Sequence, residues 1–170
     1  PAGRSGGART GLSQVAWFIA WDVLLHMSIE QLLMEREIER LIAQYCHFID
    51  HGEAARAVDL FTEDAVWDWP YGNITLAGRD GLLKGFTHRQ KNIRRISRHI
   101  SYNSLIEGTG PDTATGVVYF TLYRHDGEEE RTVAPLEEAE VMIGEYHDIY
   151  HNTANGWRIH RRECVVSFVR

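Results

Sequence analysis

Four long stretches of alternating polar and apolar residues fill most of the second half of the chain: 96–107, 114–125, 137–151 and 156–169. Alternation with a period of two places every second side chain on the same face of a β-strand. Residues 108–112, 125–127 and 152–156 contain the Gly, Asn and Asp that tolerate the backbone angles of tight turns. The pattern therefore predicts an antiparallel meander of long strands.

The segment before this meander has the features of a long amphipathic helix. Ser28 and Gln31 form a capping box, in which the two side chains satisfy backbone N–H groups at a helix start. Apolar residues then recur at helical spacing between positions 34 and 49, and Gly52 is a stop signal. We therefore predict a helix from about residue 29 to Asp50.

Shorter elements are predicted between this helix and the meander. Residues 53–61 indicate a second helix, which the polar run 62–64 ends. Residues 65–69 and 74–77 alternate as strands do, and a third helix begins at Gly78. Helices that come first and long strands that follow are typical of an α+β domain.

The size and charge of the chain limit what it can be. The sequence has 170 residues and is 44% hydrophobic, which suits one domain, predicted at residues 27–170. A net charge of -6 argues against nucleic acid as a partner, because binding to phosphate backbones requires a basic surface. The short basic group at residues 91–98 is interpreted as a solvated connection, and a cytoplasmic location is expected.

Residues 1–26 are treated as an N-terminal extension. Residues 1–14 are rich in Gly, Arg and Ser, and Met27 is the predicted natural start. The apolar stretch at 15–26 is too short to span a bilayer, so no membrane role is expected. The alternative is that residues 15–25 form a helix that packs on a partner subunit.

Two pairs of histidines show the four-residue spacing of helical zinc sites: His47 with His51, next to Asp50, and His147 with His151. The second pair falls in a predicted strand, where residues four apart are about 13 Å apart and cannot share an ion. The first pair has no evident further ligand. We predict no metal and no other cofactor.

Asp50 and His99 are the candidate catalytic pair. A carboxylate at a helix end and a histidine in a later strand can together move protons near neutral pH. The residues also allow a simpler interpretation. Asp50 can be a turn residue bonded to backbone amides, and His99 can be satisfied by Ser101 or Asn103 on the same strand face.

Several motifs in this order resemble one superfamily. They are Asp50-His51-Gly52-Glu53, Leu60-Phe61-Thr62-Glu63-Asp64-Ala65, Ala77-Gly78-Arg79-Asp80, Arg98-His99-Ile100, Gly144-Glu145-Tyr146-His147-Asp148, and Gly156-Trp157-Arg158-Ile159 with Arg162. The series resembles the nuclear transport factor 2-like superfamily, and within it the SnoaL-like group of polyketide cyclases and of dehydratases similar to scytalone and bile-acid dehydratases.

The resemblance implies a cone-shaped α+β barrel, in which a curved, mostly antiparallel sheet wraps around N-terminal helices and encloses a deep apolar cavity. It also implies a homodimer or homotrimer formed through the outer face of the sheet. Resemblance to the dehydratases implies Asp50, His99 and Tyr45 as catalytic residues and, more loosely, Arg162 as a substrate contact.

Further substrate contacts are predicted on the strands. Trp67 and Trp69 share one strand face and can supply flat apolar walls for a ring-shaped ligand. Tyr119 is added to them, or its neighbour Phe120 if that residue points inward. Asn103, on the predicted face of His99, completes the set.

The resemblance, together with these residues, implies a lyase or isomerase of the dehydratase type that acts on a hydroxylated alicyclic, polyketide-like or steroid-like carbonyl compound. One feature departs from scytalone dehydratase, because strand 117–123 carries no histidine before His125. Isomerisation and cyclisation therefore stay open as reactions. Two alternatives remain: a non-catalytic protein that binds a small apolar ring compound, and an assembly subunit like the small subunit of aromatic-ring dioxygenases.

Overall fold

A computed structural model describes residues 28–170, and the predictions for residues 1–26 and Met27 concern residues outside that range. The chain divides into two units, and the second, residues 33–170, is compact. The six strands found in the described part of the chain all belong to the second unit.

The predicted first helix, α1 (Ile29–Asp50), is present. At its start the Gln31 backbone N–H donates to the Ser28 hydroxyl at 3.1 Å, as the capping box requires. At its end Gly52 adopts a left-handed φ of 78°, which favours glycine and ends many helices. The side of α1 that faces the core buries residues at helical spacing: Ile38, Leu41, Ile42, Tyr45, Cys46 and Ile49.

A 3₁₀ helix (Ala54–Leu60), strand β1 (Phe61–Trp69), a 3₁₀ turn (Pro70–Gly72), strand β2 (Ile74–Ala77) and helix α2 (Gly78–Lys91) follow. The second helix ends before residue 62 as predicted, but strand β1 begins at Phe61 and not at residue 65, so residues 62–64 belong to the strand. Phe61 and Ala65 are both buried, and these inward contacts hold the extended backbone through the polar residues between them.

The predicted meander is confirmed as β3 (Arg95–Gly110), β4 (Thr113–Asp126), β5 (Glu140–Thr153) and β6 (Gly156–Val169). The sheet order is β2-β1-β6-β5-β4-β3. Strands β1 and β6 run parallel and all other neighbours run antiparallel. The α+β class and the curved, mostly antiparallel sheet are confirmed, and β2 and β3 form its two edges.

The two faces of the sheet differ in burial. The inner face contributes Phe120, Tyr146 and Ile159 to the core. The opposite face of β3 and its neighbours, which we call the outer apolar face, exposes Ile100, Tyr102, Leu105, Tyr119 and Ile143. Within residues 28–170, no helix is long and apolar enough to cross a membrane.

Candidate active site

A large cavity of about 1050 Å³ lies between the inner face of the sheet and helices α1 and α2. Such a volume exceeds what a single drug-sized ring compound needs. Its apolar walls come from aromatic and aliphatic side chains, which include Trp67, Trp69, Phe86, Phe120, Leu122 and Tyr146. The predicted wall residues Trp67 and Trp69 are therefore both placed at the cavity.

Asp50 and His99 are in direct contact at this cavity. The His99 ring Nδ1 lies 2.7 Å from Asp50 Oδ1, and the two side chains are only 10% and 5% exposed. Asp50 Oδ2 accepts the His99 backbone N–H at 2.6 Å, so Asp50 holds both the ring and the main chain of His99. His99 lines the cavity, and with Nδ1 engaged, Nε2 is the ring nitrogen left for a ligand.

Two further side chains continue this contact. The Ser97 hydroxyl donates to Asp50 Oδ1 at 2.7 Å and accepts from Arg89 Nη2 at 3.1 Å. Burial alone would raise the pKa of Asp50, but the hydrogen bonds and charge of His99 and the bond from Ser97 outweigh it and lower that pKa. Asp50 is therefore a carboxylate at neutral pH.

Tyr45 reaches the same cavity from α1, five residues before Asp50. Its hydroxyl oxygen accepts a hydrogen bond from Trp67 Nε1 at 3.0 Å, which leaves the phenolic proton for another acceptor. Burial is the main reason why the pKa of Tyr45 is raised, so the phenol stays protonated. Tyr45 is a hydrogen-bond donor at the cavity wall.

A family model for the SnoaL-like domain matches residues 30–163, which is most of the chain. The chain belongs to the SnoaL-like family. An NTF2-like protein with a cystatin-like fold from Novosphingobium aromaticivorans is similar in fold and superposes with a TM-score of 0.59. That protein is 23% identical, and the alignment covers 92% of each chain.

Other solved structures similar to this SnoaL-like protein include named dehydratases and dehydrochlorinases. A candidate scytalone dehydratase from Novosphingobium aromaticivorans has a TM-score of 0.70 and 21% identity, with 82% of this chain and 87% of that chain covered. Hexachlorocyclohexane dehydrochlorinase (LinA) type 2 has a TM-score of 0.70 and 15% identity, with 84% and 90% covered. At these identities the likeness shows the fold. No curated protein sequence matches this chain significantly.

Arg162 does not lie where the sequence analysis of this SnoaL-like protein predicted. It is fully buried and absent from the cavity wall, so the prediction of a substrate contact was wrong. Its Nε and Nη2 donate to the Asp148 carboxylate at 2.9 and 2.6 Å. Its guanidinium lies 4.4 Å from the Tyr45 ring centre and 4.2 Å from that of Tyr146, so it supports two wall residues from behind.

Tyr119 and Asn103 are also misplaced by the prediction. Tyr119 is 42% exposed on the outer apolar face, and Phe120, the alternative, lines the cavity. The strand register explains this, because Phe120 pairs with Ser101 on the face of His99, whereas Tyr119 pairs with Tyr102. Asn103 is exposed at a β-bulge with a φ of 50°, which breaks the alternation that had placed it beside His99.

Sequence reasoning missed Ser97 and Arg89, which contact each other next to Asp50. Ser97 lies two residues before His99, so the period of the strand was a usable signal for it. Arg95, set aside with the basic group at residues 91–98, also lines the cavity. Among residues 28–170, no three or more His, Cys, Asp or Glu side chains are grouped as a metal site would need.

Proposed function

We propose that this protein is a small-molecule lyase or isomerase of the dehydratase type, in which Asp50 and His99 form the acid/base pair. The substrate would be a hydroxylated alicyclic, polyketide-like or steroid-like carbonyl compound. The observation that supports the proposal best is the 2.7 Å contact between Asp50 and His99 Nδ1 at the wall of a large apolar cavity.

The geometry suits proton abstraction by His99 Nε2. Because the Asp50 carboxylate accepts the Nδ1 proton, the neutral ring has its lone pair on Nε2. Nε2 would take the proton alpha to the substrate carbonyl, and the C–H electrons would give an enolate, which re-forms the carbonyl and makes the new C=C bond as the hydroxyl on the β-carbon leaves. The imidazolium would then return that proton to the departing hydroxyl, so that the C–O bond breaks and water leaves.

Two groups would lower the energy of the charged intermediate. Asp50 lies against the imidazolium and balances its charge. Tyr45, held by Trp67, would donate a hydrogen bond from its phenolic O–H to the carbonyl oxygen as negative charge develops there. Proton transfer alone suffices for such a reaction, so we propose a cofactor-independent enzyme.

The test is a screen of hydroxy-ketone ring compounds for loss of water by mass spectrometry, with purified wild type and variants. His99→Ala should lower the rate by roughly 10²- to 10⁴-fold, the usual contribution of a general base. Asp50→Asn should lower it similarly, because an amide NH₂ facing Nδ1 would move the ring proton to Nε2. His147→Ala, at a histidine exposed on another strand, is the matched control and should keep full activity.

Two other outcomes would replace this proposal. Ligand binding that survives both Asp50→Asn and His99→Ala, with no turnover of any bound compound, would indicate a non-catalytic binding protein. Co-purification with a larger iron-containing chain would indicate an assembly subunit. The buried Asp50–His99 contact favours the enzyme, since neither alternative requires it.

A further inference from the structure

The cavity wall is basic although the chain as a whole is acidic. The full sequence has 18 Lys and Arg against 24 Asp and Glu. At the cavity the balance is reversed: among the lining residues of the described chain only Asp80 carries a carboxylate, Asp50 is bonded to the lining residues Ser97 and His99, and five basic side chains line the wall, Lys84, Arg89, Lys91, Arg95 and Arg124. A cleft lined by one sign of charge concentrates ligands of the opposite sign.

Two of these basic side chains are already neutralised by the protein. Arg95 donates from Nε and Nη2 to the two oxygens of Asp126 at 2.6 and 2.9 Å. Arg124 contacts Asp126 and Glu140. Their charges are therefore committed to these ion pairs.

Arg89 is different, because its guanidinium makes only neutral contacts. Nη2 donates to the Ser97 hydroxyl at 3.1 Å and Nη1 to the Asn92 carbonyl at 3.4 Å. The ion pairs found within residues 28–170 include none to Arg89. Burial, and then the neighbouring Arg95, lower the pKa of Arg89 by more than Asp50 and Asp126 raise it, so its charge is incompletely balanced and an anionic ligand would stabilise it.

Arg89 is also close to the candidate catalytic pair. Ser97 joins them, because its hydroxyl accepts from Arg89 and donates to the Asp50 oxygen that contacts His99. Arg89 and His99 both line the cavity, so a ligand with an acid group at Arg89 shares that cavity with the candidate pair. A guanidinium suits this task, because its planar N–H groups match the two oxygens of a carboxylate or phosphate.

We propose that Arg89 binds an anionic group of the substrate, a carboxylate or a phosphate, and so determines which ring compounds enter the site. The inference deepens the proposed function and rests on it, since the same cavity must receive the substrate. The substrate class narrows to ring compounds that carry an acid group in addition to a hydroxyl and a carbonyl.

The experiment compares three probes with the same ring: naphthoate, its neutral amide naphthamide, and naphthyl phosphate, each titrated by calorimetry into the full-length protein. Wild type should bind naphthoate roughly 10- to 100-fold more tightly than naphthamide, as a charge-assisted contact predicts. Tighter binding of naphthyl phosphate than of naphthoate would assign a phosphate as the natural group, and the reverse would assign a carboxylate.

Three variants test whether Arg89 causes the preference for naphthoate over naphthamide. Arg89→Met should remove it, and Arg89→Lys should keep part of it, because the charge remains but the paired N–H groups are lost. Arg36→Met removes the same charge at an exposed position and should leave the preference unchanged. Thermal unfolding of each variant checks that it is folded. If a variant does not fold, the comparison of naphthoate with naphthamide in wild type still tests the proposal.

Equal binding of naphthoate and naphthamide by wild type would overturn the proposal, and so would a preference that persists in a folded Arg89→Met. These results are independent of catalysis, because the same titrations can be made with His99→Ala. If that variant keeps the preference and no probe-like hydroxy ketone is turned over by wild type, the anion site stands and the proposed reaction fails.

Discussion

Asp148→Asn should strongly destabilise the protein, because it leaves the Arg162 guanidinium buried without its counter-charge. Both side chains are 0% exposed. The Asp148 oxygens accept two bonds from Arg162 and one from the Tyr150 hydroxyl at 2.5 Å. Burial opposes the charge of Arg162, and in wild type Asp148 outweighs it and raises the pKa well above the usual range. In the variant this support is lost, but a guanidinium keeps its proton in proteins, so the charge stays buried. Asparagine has nearly the same shape, so the change leaves no cavity and removes the charge together with one hydrogen-bond acceptor.

The expected magnitude follows from this burial. Removing one partner of a buried ion pair costs about 3–5 kcal/mol. Since the urea dependence of the free energy of unfolding is about 1–3 kcal/mol per M for small proteins, the unfolding midpoint should fall by at least roughly 1 M. A loss of this size is a large part of the total stability of an ordinary domain, about 5–15 kcal/mol.

Urea unfolding followed by circular dichroism measures the effect. Glu39→Gln is the matched control, because it breaks a pair with Arg36 whose side chains are 79% and 44% exposed, and it should cost less than about 1 kcal/mol. The double variant Asp148→Leu with Arg162→Met should recover most of the loss, since no charge is left buried. Equal midpoints for Asp148→Asn and wild type would refute the reasoning, as would a double variant no more stable than Asp148→Asn.

Three further expectations concern pH, packing and assembly. Because the folded-state pKa of Asp50 is lowered, its contribution to the free energy of unfolding is complete above about pH 4 and is lost as pH falls through the lowered pKa. Asp50→Asn should therefore show less acid destabilisation than wild type in urea titrations between about pH 2 and 6, and parallel curves would contradict this. Gly144→Ala should lower the midpoint of thermal unfolding, because a Cβ there collides with the Val165 carbonyl oxygen. Gly81→Ala in helix α2 is the control and should be tolerated. Equal midpoints for Gly144→Ala and wild type would contradict this expectation. We expect a homodimer or homotrimer by light scattering, and Leu105→Glu on the outer apolar face should dissociate it, while a monomeric wild type would exclude the interface.

Most of the fold was predictable from sequence because its elements have strong local signals. The strands β3 to β6 alternate over long stretches between turn residues, and Ser28 and Gly52 mark the ends of α1. The start of β1 was not predictable in this way. Phe61 extends the strand through a polar stretch because of contacts with residues distant in sequence, which local patterns do not record.

The site was predictable where one strand face decides it and not where three-dimensional packing does. Trp67 and His99 follow from alternation and from the resemblance to the family. Asn103 failed because a bulge shifts the face, and Arg162 failed because its partner Asp148 lies on the neighbouring strand. Arg89 gave no signal at all, since the groups that contact a cation near a helix end come from residues on other elements, such as Ser97, which the local pattern does not record.

The bond from the His99 backbone to Asp50 also affects how the sheet ends. Strand β3 is an edge strand, and its unpaired N–H groups are sites where the strand of another molecule could add to the sheet. Asp50 occupies the N–H of His99 with a buried carboxylate, so helix α1 covers the edge at that point. The residue proposed to orient the catalytic histidine therefore also protects the protein against strand addition, and loss of its side chain would expose this edge to aggregation as well as weaken the site.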